Sequence, residues 1–421
     1  MSKQEKAYYA RPYLKKFFIP HIRSKIVHCL IFVYVLSIFF LELTLIPNRI
    51  ALFAMLLYAM GSAFYQKPSI SWDASSTITQ GFFFLPFLFF VINGCNMRPF
   101  MLNSIIPVFF FIFSTRAFRE SSSTDYLYST LNISVCIVFV ICMSSVLLKI
   151  SDDLPVYWWN DFVHRSLVSV LNFHPSYLSL FVLIAINGNL NKLYQNISKG
   201  TLYKGTLFYL IITTVFLVLI AAKMAYIILF VFYILFLRRL FAIRKFKWTF
   251  SFLLGLMVVS IIMYKTLPSI KDRVTVDYRT FVKNDFAWDN KSPASERIYI
   301  WRTSTEIIKR YPLGQFCKDT KNLIWAKMEK ANKQVLEEKN AHNNFLEFGL
   351  RYGVFGILLI VLFLILSFRL ILKHQDFLFL GVFLIFVFFS LTESTAVREL
   401  GVIYMAFFYQ YHVINPDKKE S

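Results

Sequence analysis

The segment Ala341-His342-Asn343-Asn344-Phe345-Leu346-Glu347-Phe348-Gly349, followed by Arg351, Gly353 and Gly356, carries the sharpest chemistry in the 421-residue chain. A neutral imidazole is the natural general base near pH 7, and Glu347 or a neighbouring asparagine is placed to orient it. On a helix, His342, Phe345 and Gly349 share one face with Gly353, and the small residues let a neighbouring helix or a substrate come close. The plain alternative is an interfacial histidine above a small-residue packing face.

Composition says what must hold such a site. The chain is 57% hydrophobic, 19% aromatic and only 16% charged, whereas soluble domains average about 45–50% apolar and about 25% charged. The net charge of +21 would suit a nucleic-acid binder only if the basic residues formed one contiguous patch. They are split instead among short connectors between apolar runs, the pattern that orients a membrane protein. Cys29, Cys95, Cys136, Cys142 and Cys317 show neither metal-ligand spacing nor a disulfide framework. About 25 polar and basic residues precede the first apolar run, too many for a cleaved leader, so that run is expected to stay as an anchor.

A membrane helix needs about 20 apolar residues. Runs that meet or approach this lie near 26–46, 49–65, 79–95, 99–115, 129–149, 168–187, 206–222, 224–241, 248–266, 353–372, 376–391 and 397–413. The expectation is an all-α polytopic protein of about twelve membrane helices. Residues 1–266 hold the first nine, 267–341 form one large outer loop, and 342–421 hold the rest. The cluster Arg238, Arg239, Arg244, Lys245 and Lys247 is the strongest inside marker, which puts both termini in the cytoplasm and the loop in the periplasm. Within the loop, Ile298, Trp301, Thr305 and Ile308 recur at helical spacing from Glu296 to Tyr311, and Pro312-Leu313-Gly314 ends the helix. A second helical stretch is expected from about Asn322 to Glu338.

Taken together, His-Asn-x-x-Leu-Glu-x-Gly and the glycines after it, directly following a long outer loop in a many-span chain, resemble the O-antigen ligase and polymerase superfamily. That resemblance implies a GT-C-like membrane fold and a metal-independent glycosyltransferase of the bacterial inner membrane, with no cofactor. It implies an undecaprenyl-diphosphate-linked glycan as donor, and lipid A–core or another glycan as acceptor, at the periplasmic face. Glu296-Arg297-Ile298-Tyr299-Ile300-Trp301-Arg302, then Pro312-Leu313-Gly314, is similar to the family's loop motif, with Arg297 in the arginine position and Arg302 taken to be one turn on. Ala221-Ala222-Lys223-Met224-Ala225 sits where ligases usually have arginine in a small-residue motif; lysine keeps the charge but loses the bidentate fork. A snorkelling lysine is its plain alternative.

On this reading His342 is the base, Arg297, Arg302 and Lys223 clamp the diphosphate, and His174, Asn343 and Glu347 are further substrate contacts. His174-Pro175-Ser176-Tyr177 also suits a simple helix start. Glu393 and Arg398, in the last outer turn, read as an ion pair, and Tyr157-Trp158-Trp159 as an interfacial belt. A repeat-unit polymerase shares nearly every feature, and one dominant outer loop tilts the reading to ligase. A lipid-linked glycan transporter would need ionisable residues at mid-membrane, whereas here they cluster at the edges.

Overall fold

Within a bilayer an apolar segment satisfies its backbone only by folding on itself, and every element among the described residues is helical. The computed structural model describes residues 20–65, 105–152, 163–201, 203–266, 293–315, 319–330 and 339–415. The helices are α1 (Pro20–Ile38), α2 (Ile46–Tyr65), α3 (Ile105–Ser114), α4 (Arg116–Ser121), α5 (Thr124–Asp152), α6 (Arg165–Val168), α7 (Pro175–Ser198) and α8 (Lys204–Ile220). Then come α9 (Lys223–Ala242), α10 (Phe246–Thr266), α11 (Pro293–Arg310), α12 (Thr320–Lys330), α13 (Asn344–His374), α14 (Phe377–Ser390), α15 (Glu399–Tyr404) and α16 (Gln410–Ile414), the last two joined by a π-turn at Met405–Tyr409.

The chain is a membrane protein, all-helical over its described residues. The described residues test the twelve expected spans only in part. Among the described residues five helices, α1, α2, α5, α9 and α13, are long and apolar enough to cross a bilayer. A sixth is added if α6 and the following turn form one broken span with α7, at 86° to each other. Helices α3, α8 and α14 are apolar but of 10–17 residues, below the length that spans unaided. The run at 79–95, the loop residues 267–292 and Tyr157-Trp158-Trp159 lie outside the described residues.

Helix α7 is the centre of the bundle. From Tyr177 to Asn191 every residue is buried, as expected of a helix that is apolar all round, and it packs on α5, α8, α9 and α14. Two of its asparagines pair with neighbouring helices: Asn189 and Asn132 of α5 exchange amide hydrogen bonds at 2.9 and 2.8 Å, and Asn191 accepts from Arg239 of α9 at 2.9 Å.

The long loop before α13 builds its own small core. Ile300, Ile307 and Ile308 of α11 pack with Ile324 and Met328 of α12, with Ala341 and with Leu350 of α13. Helix α11 is amphipathic as expected, but its inward stripe is Ile300, Ser304, Ile307 and Ile308; of the expected positions only Ile308 is buried, Ile298 and Trp301 are half-buried and Thr305 is exposed. The second loop helix is described from Thr320 to Lys330; residues 331–338 lie outside the described residues.

One break in α13 is set by that packing. Gly353 has φ 64° and ψ −151°, in which a side chain is strained, and a Cβ there would collide with the Pro312 carbonyl oxygen. The backbone groups freed by the break are taken up by the Pro312-Leu313-Gly314 turn. Val354 N–H donates to Pro312 O and Gln315 N–H donates to Leu350 O, each at 2.9 Å. The glycine face thus receives the end of α11, with Gly349 against Ile308.

Candidate active site

Two asparagines position the histidine. Asn343 caps α13, its side-chain oxygen accepting from Leu346 N–H at 3.1 Å while its amide donates to Leu391 O at 3.1 Å. Asn344 is buried and donates to Ser390 Oγ and Thr395 Oγ1, both at 2.7 Å, and accepts from Ala396 N–H at 3.0 Å. Together they fasten the start of α13 to the turn after α14, which carries Glu393.

His342 itself is left-handed, with φ 46°. A non-glycine residue there costs on the order of 1 kcal/mol or more and persists where its surroundings over-determine it. They do so here. Trp301 Nε1 donates to Ala341 O at 3.0 Å, Ala341 N–H donates to Glu347 Oε2 at 3.2 Å, and His342 N–H donates to Asn340 Oδ1 at 3.2 Å.

Glu393 joins two of the residues singled out in the sequence. Arg297 Nη2 donates to its Oε1 at 3.1 Å, and His342 Nδ1 lies 3.3 Å from its Oε2. The Glu393 side chain is 7% exposed and that of His342 23%, so the carboxylate is enclosed and the imidazole reachable. Burial pushes the Glu393 carboxyl up. The hydrogen bond from His342 and the charges of Arg297, His342 and His174 outweigh it and hold the carboxyl below the ordinary carboxylate value. An ionised carboxylate only accepts hydrogen bonds, so the shared proton sits on Nδ1, and in the neutral form of the ring it is Nε2 that carries the lone pair. That tautomer is the one a general base needs.

His174 stands beside the pair, its charge acting on Glu393. It caps α7, with Nδ1 accepting from Ser176 N–H at 3.3 Å and Pro175 in the first turn, as the helix-start reading held. A nitrogen that accepts carries no proton, so Nε2–H of a neutral His174 is a donor. The charges of Arg165, His342 and Arg297 act on His174 in turn, which brings the exposed Arg165 at the head of α6 to the same end of the bundle.

The remaining candidates are placed differently. Arg302 follows Arg297 by five residues, roughly 140° around a helix, so it cannot share its face. It is exposed, with its guanidinium carbon 5.6 Å from the Tyr299 ring centre. Lys223 opens α9 with its side chain exposed. The turn before it lies near Arg165, since His164 N–H donates to Leu219 O at 2.9 Å. Glu347 does not touch the imidazole. It is 1% exposed and bound to Arg351 at 2.9 Å, to Thr320 Oγ1 at 2.7 Å and to Ala341 N–H. It holds the loop before His342 instead of orienting the ring.

Glu393 and Arg398 are not the ion pair expected. Arg398 has an extended backbone at the head of α15, and the Glu393 carboxylate is taken by Arg297 and His342. Glu393 and Arg165 are the two members of the cluster that the sequence reading did not assign to the site. A carboxylate standing between two apolar runs, costly at a membrane edge, was the available signal for the first.

A buried carboxylate in contact with an imidazole, beside cations, at one end of a helical membrane bundle, is an arrangement chemically able to do acid–base work. Residues 208–361 match the family model of the O-antigen ligases, and over that stretch the chain carries the domain of the O-antigen ligase and polymerase superfamily. The family implies a glycosyltransferase-type activity on a lipid-linked glycan and a glycan acceptor. The match takes in Lys223, Arg297, Arg302 and His342, and leaves His174 and Glu393 outside it. No curated protein matches the chain.

Proposed function

We propose that the protein is an O-antigen ligase-like enzyme of the inner membrane. It moves a glycan from undecaprenyl diphosphate to a sugar hydroxyl of lipid A–core at the periplasmic face. The observation that carries this reading is the bridge from Arg297 through Glu393 to His342, within a chain that matches the O-antigen ligases.

In the proposed step His342 Nε2 takes the proton from the acceptor hydroxyl as its oxygen bonds to the anomeric carbon. The bond from that carbon to the diphosphate oxygen breaks, and the electron pair leaves with the diphosphate. Glu393 holds the ring and stabilises the imidazolium that forms, the role of the carboxylate in other acid–base triads. Charge growing on the leaving group is met by the guanidinium of Arg297, by Arg165 and by the Nε2–H of His174. A preorganised donor of this kind is worth about 2.7–4 kcal/mol in a barrier. Arg302 and Lys223, at the margins, meet the donor further from the reacting carbon. Asn343 and Glu347 shape the loop that carries His342.

Deleting the gene in its native host and analysing the surface glycolipid tests this. Loss of all attached glycan, with lipid-linked polymer accumulating, is the expected result. Core capped by a single repeat instead assigns the chain to the polymerases of the same superfamily, and an unchanged glycolipid overturns both.

A further inference from the structure

The end of the bundle away from His342 holds a second built cavity. It encloses about 930 Å³ between α5, α7, the start of α8, the inner part of α9 and the turn between α13 and α14. Its wall is rich in amides and hydroxyls, including the reciprocal Asn132–Asn189 pair. Arg239 is fixed in it. The guanidinium carbon lies 3.7 Å from the Tyr194 ring centre and 4.0 Å from that of Phe377, and Nη1 donates to Asn191 Oδ1 at 2.9 Å. Asn196 lines the cavity, is nine-tenths buried, and its Nδ2 has no partner among the described residues. Lys192, 3.8 Å from the exposed Asp125 carboxylate that also lines the cavity, and Lys199 stand exposed at the mouth.

These features select a ligand. An unmet buried amide donor is costly unless something supplies an acceptor. Amides that both donate and accept suit vicinal hydroxyls. A guanidinium held flat between two rings, with lysines outside it, suits a phosphate. The cavity mouth also borders a greasy flank: Thr206 and Tyr209 line the cavity while Phe208 beside them is 59% exposed, and Tyr203 at the rim is 65% exposed. A molecule entering from the membrane would lay its acyl chains there and its headgroup inside.

We propose that this cavity binds the polyol phosphate headgroup of a membrane lipid of the phosphatidylglycerol type, the glycerol hydroxyls on the asparagines and the phosphate between Arg239 and the lysines. The site is separate from the transfer chemistry, so its test does not depend on it. The full chain, purified in an uncharged detergent, is titrated with dioctanoyl phosphatidylglycerol, with dioctanoylglycerol and with glycerol 3-phosphate, and bound species are counted by native mass spectrometry alongside thermal unfolding.

The phospholipid is expected to bind and raise Tm, while dioctanoylglycerol does neither. Asn196→Asp, which keeps the side-chain shape and adds a charge that repels phosphate, and the double variant Lys192→Gln/Lys199→Gln are expected to weaken binding about tenfold or more. Absence of phospholipid binding, equal binding of dioctanoylglycerol, or unchanged affinity in both variants overturns the proposal. Glycerol 3-phosphate binding as tightly as the phospholipid overturns the membrane source and assigns the pocket to a soluble polyol phosphate.

Discussion

His342 Nδ1 lies 3.3 Å from Glu393 Oε2, although 51 residues separate them along the chain. This contact fixes which imidazole nitrogen is left to take a proton. Glu393→Gln retains an oxygen that accepts from Nδ1 but removes the charge that stabilises the imidazolium and binds Arg297. Transfer by the purified variant is expected to fall by about 10²-fold or more, within the range general-base help supplies, with the amount of protein in the membrane unchanged. Activity within twofold of the parent would remove Glu393 from the mechanism.

The two arginines of α11 should separate. Arg297 meets Glu393 at 3.1 Å, whereas Arg302 lies on another face of the helix. Arg297→Gln is expected to cost about 10²-fold in transfer rate, the effect of one electrostatic donor. Arg302→Gln should cost several-fold at most and act chiefly on the apparent affinity for the lipid-linked donor. Equal losses in kcat would show that both face the leaving group.

Glu393 also makes stability depend on pH with a defined sign. Its carboxyl is held below the ordinary value in the folded protein, so its contribution to stability is fully present above the unfolded value of about 4.3. That contribution is lost as pH falls through the folded value. The Glu393 share of the Tm difference between the parent and Glu393→Gln should therefore shrink in acid below about pH 4.3, apart from the change its partner imidazole brings nearer neutral pH. A difference that does not shrink in acid would contradict the direction of the shift.

Gly353→Ala tests the joint between the long loop and the membrane helix. The left-handed backbone alone costs about 1–2 kcal/mol, and the new Cβ meets the Pro312 carbonyl oxygen. A marked drop in Tm and loss of transfer are expected. Gly255→Ala in α10 serves as the control: nothing lies within 4 Å of its Cβ position, and a helix-interior alanine is favoured by about 1 kcal/mol, so stability should hold or rise.

The sequence made the helical class legible because apolar runs of membrane length admit little else. The number of spans was less legible, because α3, α8 and α14 have membrane composition but are described over only 10–17 residues, and hydropathy alone does not say whether such a helix crosses. That α11 is an amphipathic helix was readable, but its register was not: Ile300 and Ile307 turn inward where the sequence reading had put Trp301 and Thr305, because Ile298, Trp301 and Ile308 offer a second apolar face. Within the site, His342 and Arg297 announced themselves by residue type and motif. Glu393 did not, because Arg398 is nearer in sequence and only the Asn344 clamp on the 390–396 turn brings the carboxylate to the imidazole. Glu347 sits closer in sequence to His342, yet Arg351 one turn on, together with Thr320, takes its carboxylate. Arg302 looked one turn from Arg297, but five residues overshoot a turn and rotate it away.

The most direct measurement is transfer by His342→Ala in vesicles supplied with lipid-linked glycan and acceptor, beside the parent protein at equal membrane abundance. If the Nε2 lone pair accepts the hydroxyl proton, the variant should lose about 10²–10⁴-fold in rate. Transfer at the parental rate would contradict the account.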